Sequence, residues 1–170
     1  SEEFARTLSR ENGKTLAESR LELARAVATF DIAVGEATRI QGESYDLGVN
    51  PMGAGRKALV RKYPVGVVAA IAPFNFPLNL AIHKIAPAMA TGCPVILKPA
   101  SKTPLTALML AEIVEESGWP KRAFSVLPCD RGAGQMLVED DRINLLSFTG
   151  SPEVGWQMKR NAGRKHVVLE

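Results

Sequence analysis

From Val65 onward the chain alternates short apolar runs with stretches of helical character, and this rhythm constrains the fold more than any other feature. The runs are VGVVAAIA (65–72), PVILKP (94–99), AFSVLP (123–128), INLLSF (143–148) and KHVVLE (165–170). Each is apolar through its middle, as strands covered on both faces require. Between them lie helical stretches at 77–91, 104–117, 134–139 and 152–162. Thr103 and Ser151 suit helix N-caps, with Pro104 and Pro152 at the first helical position, and Gly118 and Gly163 follow helix ends. Pro87 interrupts the first stretch and is expected to kink it. Strand–helix alternation over a hundred residues implies a parallel sheet with right-handed crossovers, that is, a doubly wound α/β domain over 65–170. The G-x-G-x-x-G fingerprint is absent, so the domain is at most a Rossmann-like variant.

Residues 1–41 read as a helical segment: Thr15 and Glu18 have capping-box spacing, and Leu16, Leu23, Val27, Phe30 and Val34 recur at helical intervals. Residues 42–64 are rich in Gly and turn formers and end in KALVRKY, an exposed-strand pattern, so this segment reads as an oligomerisation-type arm. A homo-oligomer is expected. A net charge of +3, without basic runs interleaved with aromatics, argues against a nucleic-acid partner. No apolar run approaches the ~20 residues of a membrane span, and the start SEEFARTLSR is not a secretory signal. Cys93 and Cys129 show neither metal-ligand spacing nor a disulfide framework. The expected location is cytoplasmic.

In open α/β sheets ligands bind beyond the carboxyl ends of the strands. Those ends carry Asn75, Lys98 with Ser101, Asp130 with Gly132, Thr149-Gly150-Ser151, and Glu170. In APFNFPLNL, Pro73 and Pro77 stiffen the backbone around Asn75 while Phe74 and Phe76 are expected to pack on either side of it. A fixed, poorly hydrated amide there suits stabilisation of a developing negative charge, although a simple Asn turn would carry the same residues. FTGSPEVG reads strand, tight turn, helix, with free N–H groups and a helix N-terminus that suit a pyrophosphate; it is equally a generic helix start. His83 reads as a packed or surface residue, the two cysteines as small buried hydrophobes, and Trp156 and Met158 as core.

Together these residues resemble the aldehyde dehydrogenase superfamily. PFNFP is similar to that family's Pro-Trp-Asn-Phe-Pro motif with Phe74 for Trp, LKPASKTP to its cofactor-ribose motif, FTGSPEVG to its phosphate-binding turn, and HVVLE to the start of its Leu-Glu-Leu-Gly-Gly motif. ENGKTLAESRLELARAVATF resembles its N-terminal helical segment. The resemblance implies NAD(P)-dependent oxidation of an aldehyde to a carboxylic acid through a cysteine thiohemiacetal and thioester. Under it Asn75 donates to the oxyanion and Glu170 is the general base for thioester hydrolysis. Lys98 and Ser101 face the adenosine ribose, Gly150 and Ser151 hold the pyrophosphate, and Val154 lies beside the adenine. Ile71, Ala72, Pro73, Phe74, Gly132, Phe148 and Thr149 complete the implied cofactor contacts.

Some features depart from the family pattern. The family's nucleophilic cysteine lies beyond its general-base glutamate, so the chain reads as an incomplete piece with the catalytic domain absent, inactive by itself. PCDRG replaces the usual Gly-rich turn. A non-catalytic nucleotide-binding or assembly module of the same ancestry remains an alternative, although it needs neither Asn75 nor Glu170. An acylating dehydrogenase, releasing acyl-coenzyme A, fits less well because such enzymes tend to lack a base at the Glu170 position. No Asp or Glu occurs between Asp46 and Glu112, and Ser101 stands where NAD-preferring members commonly carry Glu. NADP is therefore expected to be accepted at least as well as NAD.

Overall fold

The computed structural model describes residues 1–170. Five parallel strands, β3 (Val67–Ile71), β4 (Val95–Lys98), β5 (Phe124–Val126), β6 (Ile143–Phe148) and β7 (His166–Leu169), form one sheet in the order β5-β4-β3-β6-β7. The chain steps outward from β3 through β4 to β5, returns to pair β6 with the other side of β3, and continues to β7. The doubly wound reading therefore holds, and all five apolar runs form strands. Helices α3 (Asn79–Ala90), α4 (Leu105–Glu116), α5 (Arg131–Glu139) and α6 (Pro152–Asn161) connect them.

Period-two alternation divides the core. Val68, Ala70 and Ala72 point from β3 into one cluster with Ile85, Leu97 and Leu110, whereas Ala69 and Ile71 point into a second with Val138, Leu146 and Phe148. The small alanines of β3 let helices approach both faces. The expectation of strands buried on both faces holds for β3 but fails for β5 and β7. These two are the sheet edges, and β7 alternates exposed and half-buried residues.

The N-terminal segment is two helices, α1 (Glu2–Asn12) and α2 (Leu16–Ala37), separated where Gly13 takes a left-handed conformation at φ 82°. The capping box at Thr15 and Glu18 forms. Phe4, Leu8 and Ala26 are buried in the first core cluster, so both helices share the core of the sheet domain. Strands β1 (Glu43–Asp46) and β2 (Lys57–Val60) pair antiparallel as a separate hairpin with Tyr45, Leu59 and Val60 exposed.

Three local expectations need correction. Helix α3 runs through Pro87 without ending there; Pro87 sits on the exposed side, where the carbonyl it leaves unbonded can meet solvent. Thr103 is not the cap of α4: the N-cap is Pro104, with helical angles and no side-chain cap bond. Trp156 is 55% exposed, because Gly155, Met158 and Ala162 occupy the inward face of α6 and Trp156 is turned about 100° from Gly155.

Candidate active site

The carboxyl ends of the three inner strands and of β7 bring most of the candidate residues to one edge of the sheet. Thr149 donates its N–H to the Ile71 carbonyl at 3.2 Å, and Ala72 donates to Lys98 O at 3.2 Å. The Gly150 N–H reaches Glu170 O at 3.2 Å and the Glu170 N–H reaches Phe148 O at 3.0 Å. Glu170 is thus locked to the turn after β6 by its own backbone. Its side chain accepts from Thr149 Oγ1 at 2.9 Å.

Behind it lies a residue that the sequence reading passed over. Lys84, 5% exposed on α3, donates to Thr149 Oγ1 at 2.5 Å and stands 3.7 Å from Glu170 Oε2. Burial holds the Lys84 ammonium below its ordinary pKa, and the attraction of Glu170 partly opposes this. A hydrogen-bonded chain therefore runs from a buried ammonium through a hydroxyl to an exposed carboxylate. Such a chain can hold the carboxylate in one orientation and favour its ionised, proton-accepting form. A signal existed in the sequence: Lys84 falls on the stripe Ala81, Ile85, Ala88 that faces the core, where an unpaired lysine is rarely tolerated.

Asn75 follows β3, but the turn around it differs from expectation. Phe74 and Phe76 are 57% and 41% exposed and Asn75 is exposed, so within this chain the rings do not bury the amide. The backbone of the turn is held from outside. Asn12 donates to Phe74 O, Lys14 donates to Asn75 O at 2.9 Å, and the Glu22 carboxylate accepts the N–H groups of Leu78 and Asn79 at 3.0 Å each.

On the α5–α6 side of the sheet a groove of about 460 Å³ is lined by Ile71, Phe74, Lys98, Ser101 and Val154, five of the expected cofactor residues. Arg131, Gly134 and Gln157 also line it. Lys98 and Arg131 are its only charged residues, and no carboxylate faces it. The Lys98 stem passes so close to Gly134 that a Cβ there would meet Cε at 2.7 Å and push the lysine from its present position. Gly132 lies in the exposed first turn of α5 and does not line the groove; in PCDRG, Asp130 caps the helix through Ala133 N at 2.8 Å and moves its start forward to Arg131. Phe148, Gly150, Ser151 and Glu170 border a smaller adjacent cleft of about 160 Å³. Ser151 caps α6 with extended angles but makes no side-chain cap bond, leaving first-turn N–H groups free. A larger cavity, about 590 Å³ around Trp119 and Arg122, lies before β5 at the opposite end of the sheet. Ala72 and Pro73 remain in the β3–Asn75 connection without lining the groove. Cys93 is buried, and Cys129 is half-buried.

The aldehyde dehydrogenase family model matches residues 1–170. The chain belongs to the aldehyde dehydrogenase family. It is 48% identical over 170 residues to a 3-sulfolactaldehyde dehydrogenase of Priestia megaterium, covering 99% of this chain and 36% of that protein. Among solved structures it is similar to aldehyde dehydrogenase 21 of Physcomitrella patens, crystallised with the reaction product succinate: TM-score 0.96, 48% identity, 99% of this chain and 35% of that one. It is also similar to the glyceraldehyde-3-phosphate dehydrogenase GapN of Methanocaldococcus jannaschii, complexed with NADP: TM-score 0.88, 35% identity, 99% and 37% coverage. The chain spans about a third of the length of these relatives. No helix is long and apolar enough to cross a membrane.

Proposed function

We propose that the protein to which this chain belongs oxidises an aldehyde to a carboxylic acid with NADP or NAD, and that residues 65–170 are its cofactor-binding part. The observation that carries this reading is the Lys84–Thr149–Glu170 chain at the same sheet edge as the Asn75 turn and as a groove with two cations and no carboxylate. A nucleotide-binding or assembly module would have no use for a buried lysine aimed at an exposed carboxylate.

The groove fits a dinucleotide in its chemistry. Lys98 and Arg131 can neutralise phosphate, the Ser101 hydroxyl can hydrogen-bond a ribose oxygen, and the free N–H groups at the start of α6 suit the pyrophosphate. When bound, the nicotinamide supplies a hydride acceptor. Asn75 then donates its amide N–H to the carbonyl oxygen as a cysteine thiolate adds to the carbonyl carbon. Glu170 takes a proton from the water that attacks the thioester, the thiolate leaves, and Thr149 with Lys84 holds the carboxylate in place.

That thiolate comes from another part of the protein. Cys93 precedes β4, at the sheet end opposite Asn75. Cys129 follows β5, separated from Glu170 by the full width of the sheet, about 19 Å at ~4.8 Å per strand. The free thiols suit a reducing, cytoplasmic setting. The exposed apolar β1–β2 hairpin is the surface through which copies of the protein associate.

The test is Glu170→Gln in the complete protein. A burst of reduced cofactor, stoichiometric with sites and followed by a stall, is the expected result. Equal loss of burst and steady state would remove Glu170 from the hydrolytic step.

A further inference from the structure

Within the Asn75 turn the local restraints are Pro73, Pro77 and a 3.0 Å bond from the Leu80 N–H to Phe76 O. Both rings and the asparagine are exposed, the N-cap of α3 is Leu78, with helical angles and no side-chain cap bond, and none of these holds the Asn75 carbonyl. The constraint arrives from sixty residues earlier. Glu22 is 2% exposed. One of its oxygens accepts from Leu78 N and Asn79 N, both at 3.0 Å, and the other accepts from Lys14 Nζ at 2.5 Å. The same ammonium donates to Asn75 O at 2.9 Å and stands 4.4 Å from the centre of the Phe76 ring.

We infer that Lys14 and Glu22 are positioning residues for the oxyanion donor: the buried pair clamps the backbone of the Asn75 turn from both sides. The proposal rests on the reading of Asn75 as that donor. The physical case has two parts. A buried ion pair contributes little to stability compared with an apolar pair of the same shape, so what the pair holds matters more here than its own attraction. Each partner also spends its remaining hydrogen-bonding capacity on the turn. Fixing the Asn75 carbonyl fixes the peptide plane that follows Asn75, and fixing the Leu78 and Asn79 N–H groups fixes where the turn ends. The asparagine side chain then leaves a backbone that cannot rotate, although the side chain itself lies in the open. Glu22 in addition supplies the negative charge that the N-terminus of α3 favours and that its own first turn lacks.

The experiment uses the complete protein and the double variant Lys14→Met/Glu22→Gln, which removes both charges together and so leaves neither one buried alone. A misplacement of the donor by an ångström is expected to slow single-turnover hydride formation by about 10- to 100-fold. Cofactor Kd, read by fluorescence titration, should stay within about threefold, because of the residues lining the groove only Phe74 belongs to the turn and the others lie on β3, β4, α5, α6 and the segment after β4. Lys14→Arg, which keeps the charge and donors, should recover most of the rate. In an Asn75→Ala background the double variant should cost less than about threefold more, since the donor it positions is already gone. Loss of rate and cofactor affinity by the same factor would overturn the proposal, as would full additivity with Asn75→Ala.

Amide hydrogen exchange across residues 74–80 separates this proposal from the reading beneath it. If Asn75→Ala leaves the burst unaltered, the oxyanion reading fails. Faster exchange confined to 74–80 in the double variant would still establish the clamp, and unaltered exchange there would overturn it.

Discussion

Glu11 closes the start of α4 from a distance of some 94 residues in sequence, and the cost of removing it can be worked out bond by bond. Its carboxylate accepts from Leu105 N at 2.7 Å, from Thr106 N at 3.0 Å and from the Thr106 hydroxyl. Leu105 is 50% exposed, so water can replace the first bond at little loss. Thr106 is fully buried, and its two donors lose a charged acceptor in a place where water enters only through the space the side chain vacates. Hydrogen bonds to charged groups contribute about 1.5–3 kcal/mol each, and the lost helix-dipole term adds about 0.3–1 kcal/mol. Allowing for partial rehydration of Thr106, Glu11→Ala should lower the local stability of the first turns of α4 by about 2–3 kcal/mol, or about 30- to 150-fold in opening. Glu11→Gln keeps one acceptor and should cost about half as much. Native-state hydrogen exchange of the complete protein reads this directly at amides 105–110. Unchanged protection there, or equal loss throughout β6 and β7, would refute the reasoning.

The remaining expectations concern cofactor choice, pH and assembly. Ser101→Glu places a carboxylate in a groove that has none, so kcat/KM should move toward NAD and away from NADP by about tenfold, or ~1.4 kcal/mol; a wild type already strongly selective for NAD would contradict this. The charged form of Lys84 is penalised by burial, and that penalty is full at neutral pH and fades as pH rises through its lowered pKa toward 10.5. Wild type should therefore gain stability relative to Lys84→Met across that alkaline window, by up to about 1.4 kcal/mol per pH unit, and a thermal-shift difference that stays constant with pH would rule it out. The 170-residue chain by itself should produce no reduced cofactor from aldehyde, and turnover abolished by thiol alkylation would promote Cys93 or Cys129 to nucleophile. Sedimentation at micromolar concentration should show dimers or larger species, and a clean monomer would count against the hairpin as a contact surface.

What the sequence determined by itself was everything carried by local period and local chemistry. Short apolar runs bounded by Pro, Gly and polar residues marked the five strands even though β5 and β7 are not covered on both faces, and INLLSF matches β6 residue for residue. The order of strand ends then placed Asn75, Lys98, Ser101, Thr149 and Glu170 on one edge, because parallel strands all present their carboxyl ends to the same side. The capping box of α2 was legible because its two residues are three apart. What only the tertiary structure decided depends on partners far apart in the chain. Glu11 and Glu22 on the first two helices, and Lys14 between them, carry no local signal until the fold sets them against the starts of α4 and α3. Thr103 looked like a cap because the sequence offers no way to see a carboxylate arriving from α1. Lys84 acquires meaning only when Thr149 and Glu170, 65 and more residues later, close around its ammonium. The rings beside Asn75 promised a buried amide, but their burial depends on the surface opposite them, and within this chain the turn is held through its backbone instead. Local pattern fixes which elements form; a buried charge finds its partner only after the chain has folded back on itself.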